Sequence, residues 1–252
     1  FIKRAQAFER EGLFNKAIEE YTQAILVDPK NAGAYFGRGW AHESQQRHDD
    51  AIRNFSQAIR LNAVFADAYF GRGWAYEQQQ KIDLAIGEYG HAIKAAPDYA
   101  DAYFSRGILA FLQGRLGAAA KDFTGVSKNS KGSLRDYALI WKYVAETRTG
   151  ADKSEALALI KGLVSRNGLA GALVTMFAGQ AGEEDILAQA ASSDPKKQRE
   201  NECIAFFFLG QSHLIAGDTQ GAADYFRKTL ATGVVNFRQY AAARIELARI
   251  QK

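Results

Sequence analysis

The sequence predicts an all-α protein, a right-handed α-α superhelix of about six helical hairpins with a C-terminal capping helix. Three observations carry that prediction. A block of eight residues recurs at a fixed interval. Ala is abundant and β-branched residues are sparse, which favours helix over strand. Only three prolines occur, and Pro29 and Pro97 fall where helical patterns end, as expected of a residue that cannot continue a helix.

The repeat is nearly verbatim. Residues 34–41 read Ala-Tyr-Phe-Gly-Arg-Gly-Trp-Ala and residues 68–75 read the same. Residues 102–109 read Ala-Tyr-Phe-Ser-Arg-Gly-Ile-Leu, again 34 residues on. Other positions keep step. Gly39, Gly73 and Gly107 supply a small residue where the first helix of a hairpin approaches the second. The second helices carry Ala17, Ala51, Ala85 and Ala119, then Tyr21, Phe55, Tyr89 and Phe123, then Ala24, Ala58, Ala92 and Val126. Steps of three and four place these residues on one helix face. Each hairpin therefore buries its apolar face only by stacking on a neighbour. A 34-residue step with this pattern resembles the tetratricopeptide repeat (TPR), which implies a TPR solenoid over residues 1–131. Phe1 falls in register with Tyr35, so the first hairpin is expected to be truncated and a further segment to precede it in the gene product.

Residues 132–252 are expected to hold divergent helical hairpins. Helices are predicted over 134–148 and 153–166, broken at Gly150, then over 169–178 and 183–192. Ser192 to Lys197 reads as an exposed, protease-sensitive loop. A further TPR is predicted over 198–231, with Phe206, Gly210, His213, Ala222 and Phe226 at repeat positions. A last helix over 236–251 presents Tyr240, Ala243, Leu247 and Ile250 on one face and caps the stack.

The C-terminal third also resembles bacterial NlpI-type TPR lipoproteins. The matching residues are Phe207-Phe208-Leu209-Gly210, Gly217-Asp218, Ala222, Phe226, Ala231-Thr232-Gly233, Asn236-Phe237, Tyr240, Ala243 and Glu246-Leu247, with Phe177 to Gln180, Glu184 and Leu187 before them. This resemblance implies an exported, lipid-anchored adaptor of the bacterial envelope that brings cell-wall hydrolases to partner enzymes and can form a homodimer. It implies no catalytic residues. The lipid-bearing cysteine would lie before Phe1. A cytoplasmic TPR scaffold and a self-assembling structural protein are the alternatives.

On the first helices, the residues one place beyond the repeat signature are expected to line a concave groove. They are Phe36, Trp40 and Glu43; Phe70, Trp74 and Glu77; and Phe104, Ile108 and Phe111. Asp67 and Asp101 begin two of these helices and would form an acidic rim. Such a groove suits a protein or peptide with apolar anchors and some basic residues. The same aromatics also have a packing role between hairpins. Gly37, Gly71 and Ser105 stand where carboxylate-gripping TPR modules carry Asn and Lys, which argues against that mode. Arg38, Arg72 and Arg106 form a ladder expected to pair with acids on neighbouring helices.

No metal site, cofactor or catalytic group is indicated, and the chain is expected not to be an enzyme. His42, His48, His91 and His213 lie in no ligand motif; His42 and His213 hold aromatic repeat positions and are expected in the core. The glycines are dispersed and form no phosphate loop. The lone Cys203 sits in an apolar run and is expected to be a buried thiol. Net charge is +4, with 16 basic residues in 1–130 and 16 in 131–252, so no clustered surface suggests nucleic acid. No apolar run is long enough to span a membrane, which leaves an N-terminal lipid anchor outside this chain as the one expected membrane contact.

Overall fold

A computed structural model describes residues 1–151, 154–162 and 167–251. Among the described residues the chain forms helices and no strand, as its composition and periodicity predict. In order the helices are α1 (Ile2–Arg10), α2 (Phe14–Val27), α3 (Ala32–Glu43), α4 (His48–Leu61), α5 (Ala66–Gln78), α6 (Ile82–Ala95), α7 (Ala100–Leu112) and α8 (Leu116–Asn129). There follow α9 (Gly132–Thr149), α10 (Ser154–Lys161), α11 (Gly168–Phe177), α12 (Glu183–Ala190), α13 (Pro195–Ala216), α14 (Thr219–Ala231) and α15 (Arg238–Ile250). The ends of the helix predicted over 153–166, at 153 and 163–166, lie outside the described residues. None of the described helices is long and apolar enough to cross a membrane. Two compact units divide the chain, Phe1–Arg106 and Gly107–Lys252, with the division inside α7.

In the first unit, α1–α2, α3–α4 and α5–α6 are the hairpins the repeat predicts. The turn inside each one contains a residue in the left-handed region: Gly12 at φ 72°, Gln46 at 60° and Gln80 at 60°. The links between hairpins open with extended residues. Asp28 precedes Pro29 and Ala96 precedes Pro97, and a residue before proline is driven from the helical region. Asp28 and Asn62 accept from the backbone N–H groups of Lys30 and Val64 at 3.0 and 3.2 Å, which tightens the links.

The unit is held together around the second-helix aromatics. Tyr21, Phe55 and Tyr89 are buried. Phe55 lies between two glycines. A Cβ on Gly39 of its own hairpin would stand 2.6 Å from the ring, and one on Gly71 of the next hairpin 2.8 Å. The small residues therefore set how closely successive helices approach, and each ring fills the space they leave. Burial of a ring of this size stabilises by about 2–3 kcal/mol.

The arginine ladder is also structural. Arg72 pairs with Glu88 at 2.7 Å and lies over the Tyr69 ring. Arg38 lies over Tyr35 and bonds Asn54, and Arg106 lies over Tyr103.

The second unit is built around Trp141 of α9, which is fully buried. Its ring packs 4.8 Å from Phe111, 5.0 Å from Phe207 and 5.3 Å from Phe208, centroid to centroid. The α13–α14 pair repeats the hairpin contact, with a Cβ on Gly210 placed 2.6 Å from Phe226. Helix α9 ends at Gly150 in the left-handed region, φ 70°, where its N–H reaches back to the last turn, as the sequence predicts for this break. Cys203 is buried, and desolvation pushes its thiol up to about 11, consistent with an inert core thiol.

Three expectations for this unit are corrected. Lys196 and Lys197 are helical, because Pro195 opens α13 and Asp194 caps it, accepting from Lys196 N at 2.8 Å. The loop is confined to 191–194. His213 is not a core ring: it is partly exposed, and its two nitrogens meet Glu183 and Asp218 at 2.5 and 2.7 Å. The deepest large side chain of α15 is a charged one, Glu246, which is 1% exposed. It pairs with Arg148 at 2.8 Å and Arg249 at 2.7 Å, and Arg249 also donates to the Leu112 carbonyl at 3.0 Å.

Candidate functional site

Helices α3 and α5 present the same residues 34 positions apart, and this sets Trp40 beside Phe70 and Trp74. Together with Glu43 they line a cleft of about 650 Å³. Four expected groove residues thus meet at one place. Ser44, Gln46, His48 and Gln78 complete its wall. They were not legible as groove residues because three of them belong to the turn after α3 and the start of α4, where the helical period no longer says which way a side chain faces.

The Trp40 and Phe70 rings are fixed from behind and partly open in front. Trp40 packs 5.4 Å from Phe55, nearly perpendicular to it. Phe70 packs 5.4 Å from Tyr89 and 5.3 Å from Tyr99. Trp40, Phe70 and Trp74 nevertheless stay only half-buried. Phe36 is half-buried too, its ring tilted against Phe65 at 5.0 Å and Phe55 at 5.9 Å, and it supports Trp40 rather than lining the cleft.

The acidic residues are engaged. Glu77 accepts a hydrogen bond from Tyr89 at 2.6 Å. Glu43 occupies the same repeat position but faces Phe55, which has no hydroxyl. His48 Nδ1 takes that role, 3.0 Å from Oε2, and Glu43 is only 8% exposed. Asp67 is exposed at the start of α5 and accepts from Tyr99 at 2.8 Å. Burial, reinforced by this bond and by the Asp67 charge, raises the Tyr99 pKa. Asp101 is exposed in the first turn of α7 and Phe104 is half-buried on the same helix, both outside the cleft.

Ile108 and Phe111 depart from the expectation. Both are fully buried and offer no surface to a partner. They hold the repeat positions of Trp74 and Glu77, but Trp141, from a segment without the repeat, packs against Phe111 and makes it core.

Among the described residues no group of three or more His, Cys, Asp or Glu side chains could hold a metal ion. The cleft offers aromatic surface, a tied carboxylate and neutral polar groups, which is equipment for binding.

The tetratricopeptide-repeat family pattern matches residues 2–53, 44–92 and 81–126. No curated protein matches the chain. Among solved structures, MamA is 24% identical over 62% of this chain and 90% of its own, with a TM-score of 0.54. A tetratricopeptide repeat protein from Parabacteroides merdae is 17% identical over 98% of this chain and 97% of its own, with a TM-score of 0.60. YrrB, described as a TPR protein with an unusual peptide-binding site, is 17% identical over 90% of this chain and 99% of its own, at 0.55. These likenesses concern the fold alone. Over residues 2–126 the chain is built of tetratricopeptide repeats.

Proposed function

We propose that this chain is a non-catalytic adaptor that holds a protein or peptide partner by an apolar side chain seated between Trp40, Phe70 and Trp74. The observation that carries the reading is that the three rings open onto a shared cleft of about 650 Å³, with Trp40 and Phe70 held by packing behind them. A pre-ordered aromatic cleft binds with little further loss of side-chain entropy. Glu43 gives the cleft one carboxylate, which favours a Lys or Arg near the partner's anchor. The peptide-binding site named for YrrB is a use of the same fold that supports this reading.

The finer reading is an NlpI-like adaptor in a bacterial envelope, lipid-anchored ahead of Phe1, serving cell-wall enzymes and able to pair with a second copy. Its support is the C-terminal resemblance. A cytoplasmic scaffold and a self-assembling protein remain the alternatives.

Affinity capture from envelope and cytosolic extracts, with wild type beside Trp74→Ala and Ser44→Arg, tests both levels. Ser44 is exposed and lines the cleft, so a bulky cation there blocks it without disturbing the core. Cell-wall hydrolases retained by wild type and lost by both variants support the adaptor and the groove. Equal capture by all three proteins removes the groove assignment. Enrichment of cytosolic proteins alone removes the envelope. Sedimentation across a concentration series separates a homodimer from open-ended assembly.

A further inference from the structure

Hairpin α3–α4 breaks the charge pattern of its neighbours. In the first and third hairpins an arginine pairs with a glutamate 16 residues on: Arg4 with Glu20 at 2.8 Å and Arg72 with Glu88 at 2.7 Å. In the second, Arg38 meets Asn54 instead, at 2.8 Å, and Thr22 at 3.1 Å. Among the described residues Arg38 forms no ion pair. Position 53 changes as well, from Glu19 and Gly87 in the other hairpins to Arg53.

The substituted face opens onto a cleft of about 600 Å³ between α3 and α4. Arg38, Arg47, Arg53 and Arg60 line it with a single carboxylate, Asp50. Asp50 is shared, paired with Arg47 at 2.9 Å and with Arg53. Four guanidinium groups against one carboxylate leave three positive charges uncompensated. Arg60 is exposed and has no hydrogen bond or ion pair among the described residues. His42 forms part of the same wall, and its buried Nδ1 has no hydrogen-bond partner. Helical geometry turns Tyr35, Arg38 and His42 well away from the stripe that carries Phe36 and Trp40, so this cleft is distinct from the aromatic one.

We propose that this second cleft binds an acidic polypeptide segment, several Asp or Glu carboxylates in a row. The carboxylates take the place that Glu20 and Glu88 hold in the neighbouring hairpins, and guanidinium groups grip them in pairs. The length of the site points to a chain rather than a lone anion. Arg47 to Arg60 spans 13 residues of helix, about 20 Å at the usual rise. Nucleic acid fits less well. The one ring other than His42 in the cleft, Tyr35, already carries Arg38 over its face, so no open platform remains for a base.

The test is fluorescence anisotropy of the whole chain with a short labelled peptide of alternating Glu and Ala, amidated at its C-terminus. Wild type is expected to bind with an affinity that falls as salt rises. Asn54→Glu restores the carboxylate of the other hairpins onto Arg38, and it should weaken binding by about tenfold or more. Arg60→Gln, an exposed change without a contact to lose, should weaken it by about threefold. Ser44→Arg, in the aromatic cleft, should leave it unchanged, which keeps this site separate from the proposed groove. Wild-type affinity in both Asn54→Glu and Arg60→Gln overturns the proposal. So does tighter binding of a single-stranded oligonucleotide of equal charge. Displacement of the peptide by inorganic phosphate at matching charge concentration also overturns it, since that marks a site for isolated anions. Should Asn54→Glu fail to fold, Arg60→Gln decides the matter.

Discussion

The hydroxyl of Tyr89 donates to the carboxylate of Glu77 at 2.6 Å. The same bond joins Tyr21 to Glu9 at 3.0 Å two hairpins earlier. Between them Phe55 faces Glu43 without a hydroxyl. Tyr89→Phe should therefore cost about 1 kcal/mol, because it removes one hydrogen bond to a partly buried carboxylate. Phe55→Tyr should be neutral or mildly stabilising, since it supplies Glu43 with the donor its counterparts have. Urea midpoints at constant m-value read both. A loss of more than about 2 kcal/mol in Phe55→Tyr would show that the slot between Gly39 and Gly71 has no room for an oxygen.

Gln46 and Gln80 each sit at φ 60°, at turn positions where the first hairpin carries Gly12 and where Gly114 recurs later in the chain. A side chain in that region costs about 1–2 kcal/mol. Glycine relieves the strain and gives back part of the gain through a freer unfolded chain. Gln46→Gly and Gln80→Gly should each raise stability by about 0.5–1 kcal/mol, visible as a higher melting temperature. A fall in both would mean that the glutamine side chains contribute more than the backbone strain removes.

Gly71 and Gly87 look alike in the sequence and should respond oppositely to Ala. A Cβ on Gly71 would stand 2.8 Å from Phe55, whereas one on Gly87 meets nothing within 4 Å. Gly71→Ala is expected to destabilise by about 1–3 kcal/mol through overpacking. Gly87→Ala is expected to stabilise by about 0.5–1 kcal/mol through helix propensity. Calorimetry of the two variants side by side makes the comparison.

The stability of the second unit should depend on pH through His213. Burial opposes the charge on its ring, but bonds to Asp218 and Glu183 outweigh that, and its pKa is raised. The Glu183 pKa is lowered, first by the Tyr225 hydroxyl, and the Asp218 pKa first by the Gly221 N–H. A raised histidine contributes fully below the usual value of 6.5, and the contribution is lost as pH rises through the folded value. The lowered carboxylates contribute above their usual values, the higher being 4.5, and lose that contribution as pH falls. The cluster is therefore most stabilising between about 4.5 and 6.5, and melting temperature should decline toward alkaline pH. His213→Gln should flatten that alkaline limb. An unchanged limb would place the titration elsewhere.

What the sequence made legible was whatever repeats. The 34-residue step located Gly39, Gly73 and Gly107, and a Cβ at these positions would stand 2.6, 2.9 and 3.0 Å from Phe55, Tyr89 and Phe123. It also brought Trp40, Phe70 and Trp74 to one cleft. What remained hidden depends on segments outside the repeat. Trp141 buries Phe111, and no period relates the two. Glu246 reads as a solvent-facing charge on an amphipathic helix, and its burial rests in part on Arg148, 98 residues earlier. Asp194-Pro195 reads equally as a loop or a helix start, and the choice rests on whether a helix follows. The basic cleft is not legible in the repeat because its signal is a missing acid, Asn54 in place of Glu, rather than a motif.

Near-identical steps carry a hazard: interchangeable parts invite wrong assembly. If α4 settled in the berth of α6, against α5, its backbone would fit, since the first helices it would meet carry the same residues at 34–41 and 68–75. That exchange would bring Phe55 and Asn54 where Tyr89 and Glu88 belong, and Glu77 and Arg72 would each lose a partner. The mismatches between repeats thus act as keys. They give every hairpin an address in the stack, and levelling them toward one consensus would risk trading a unique order for several.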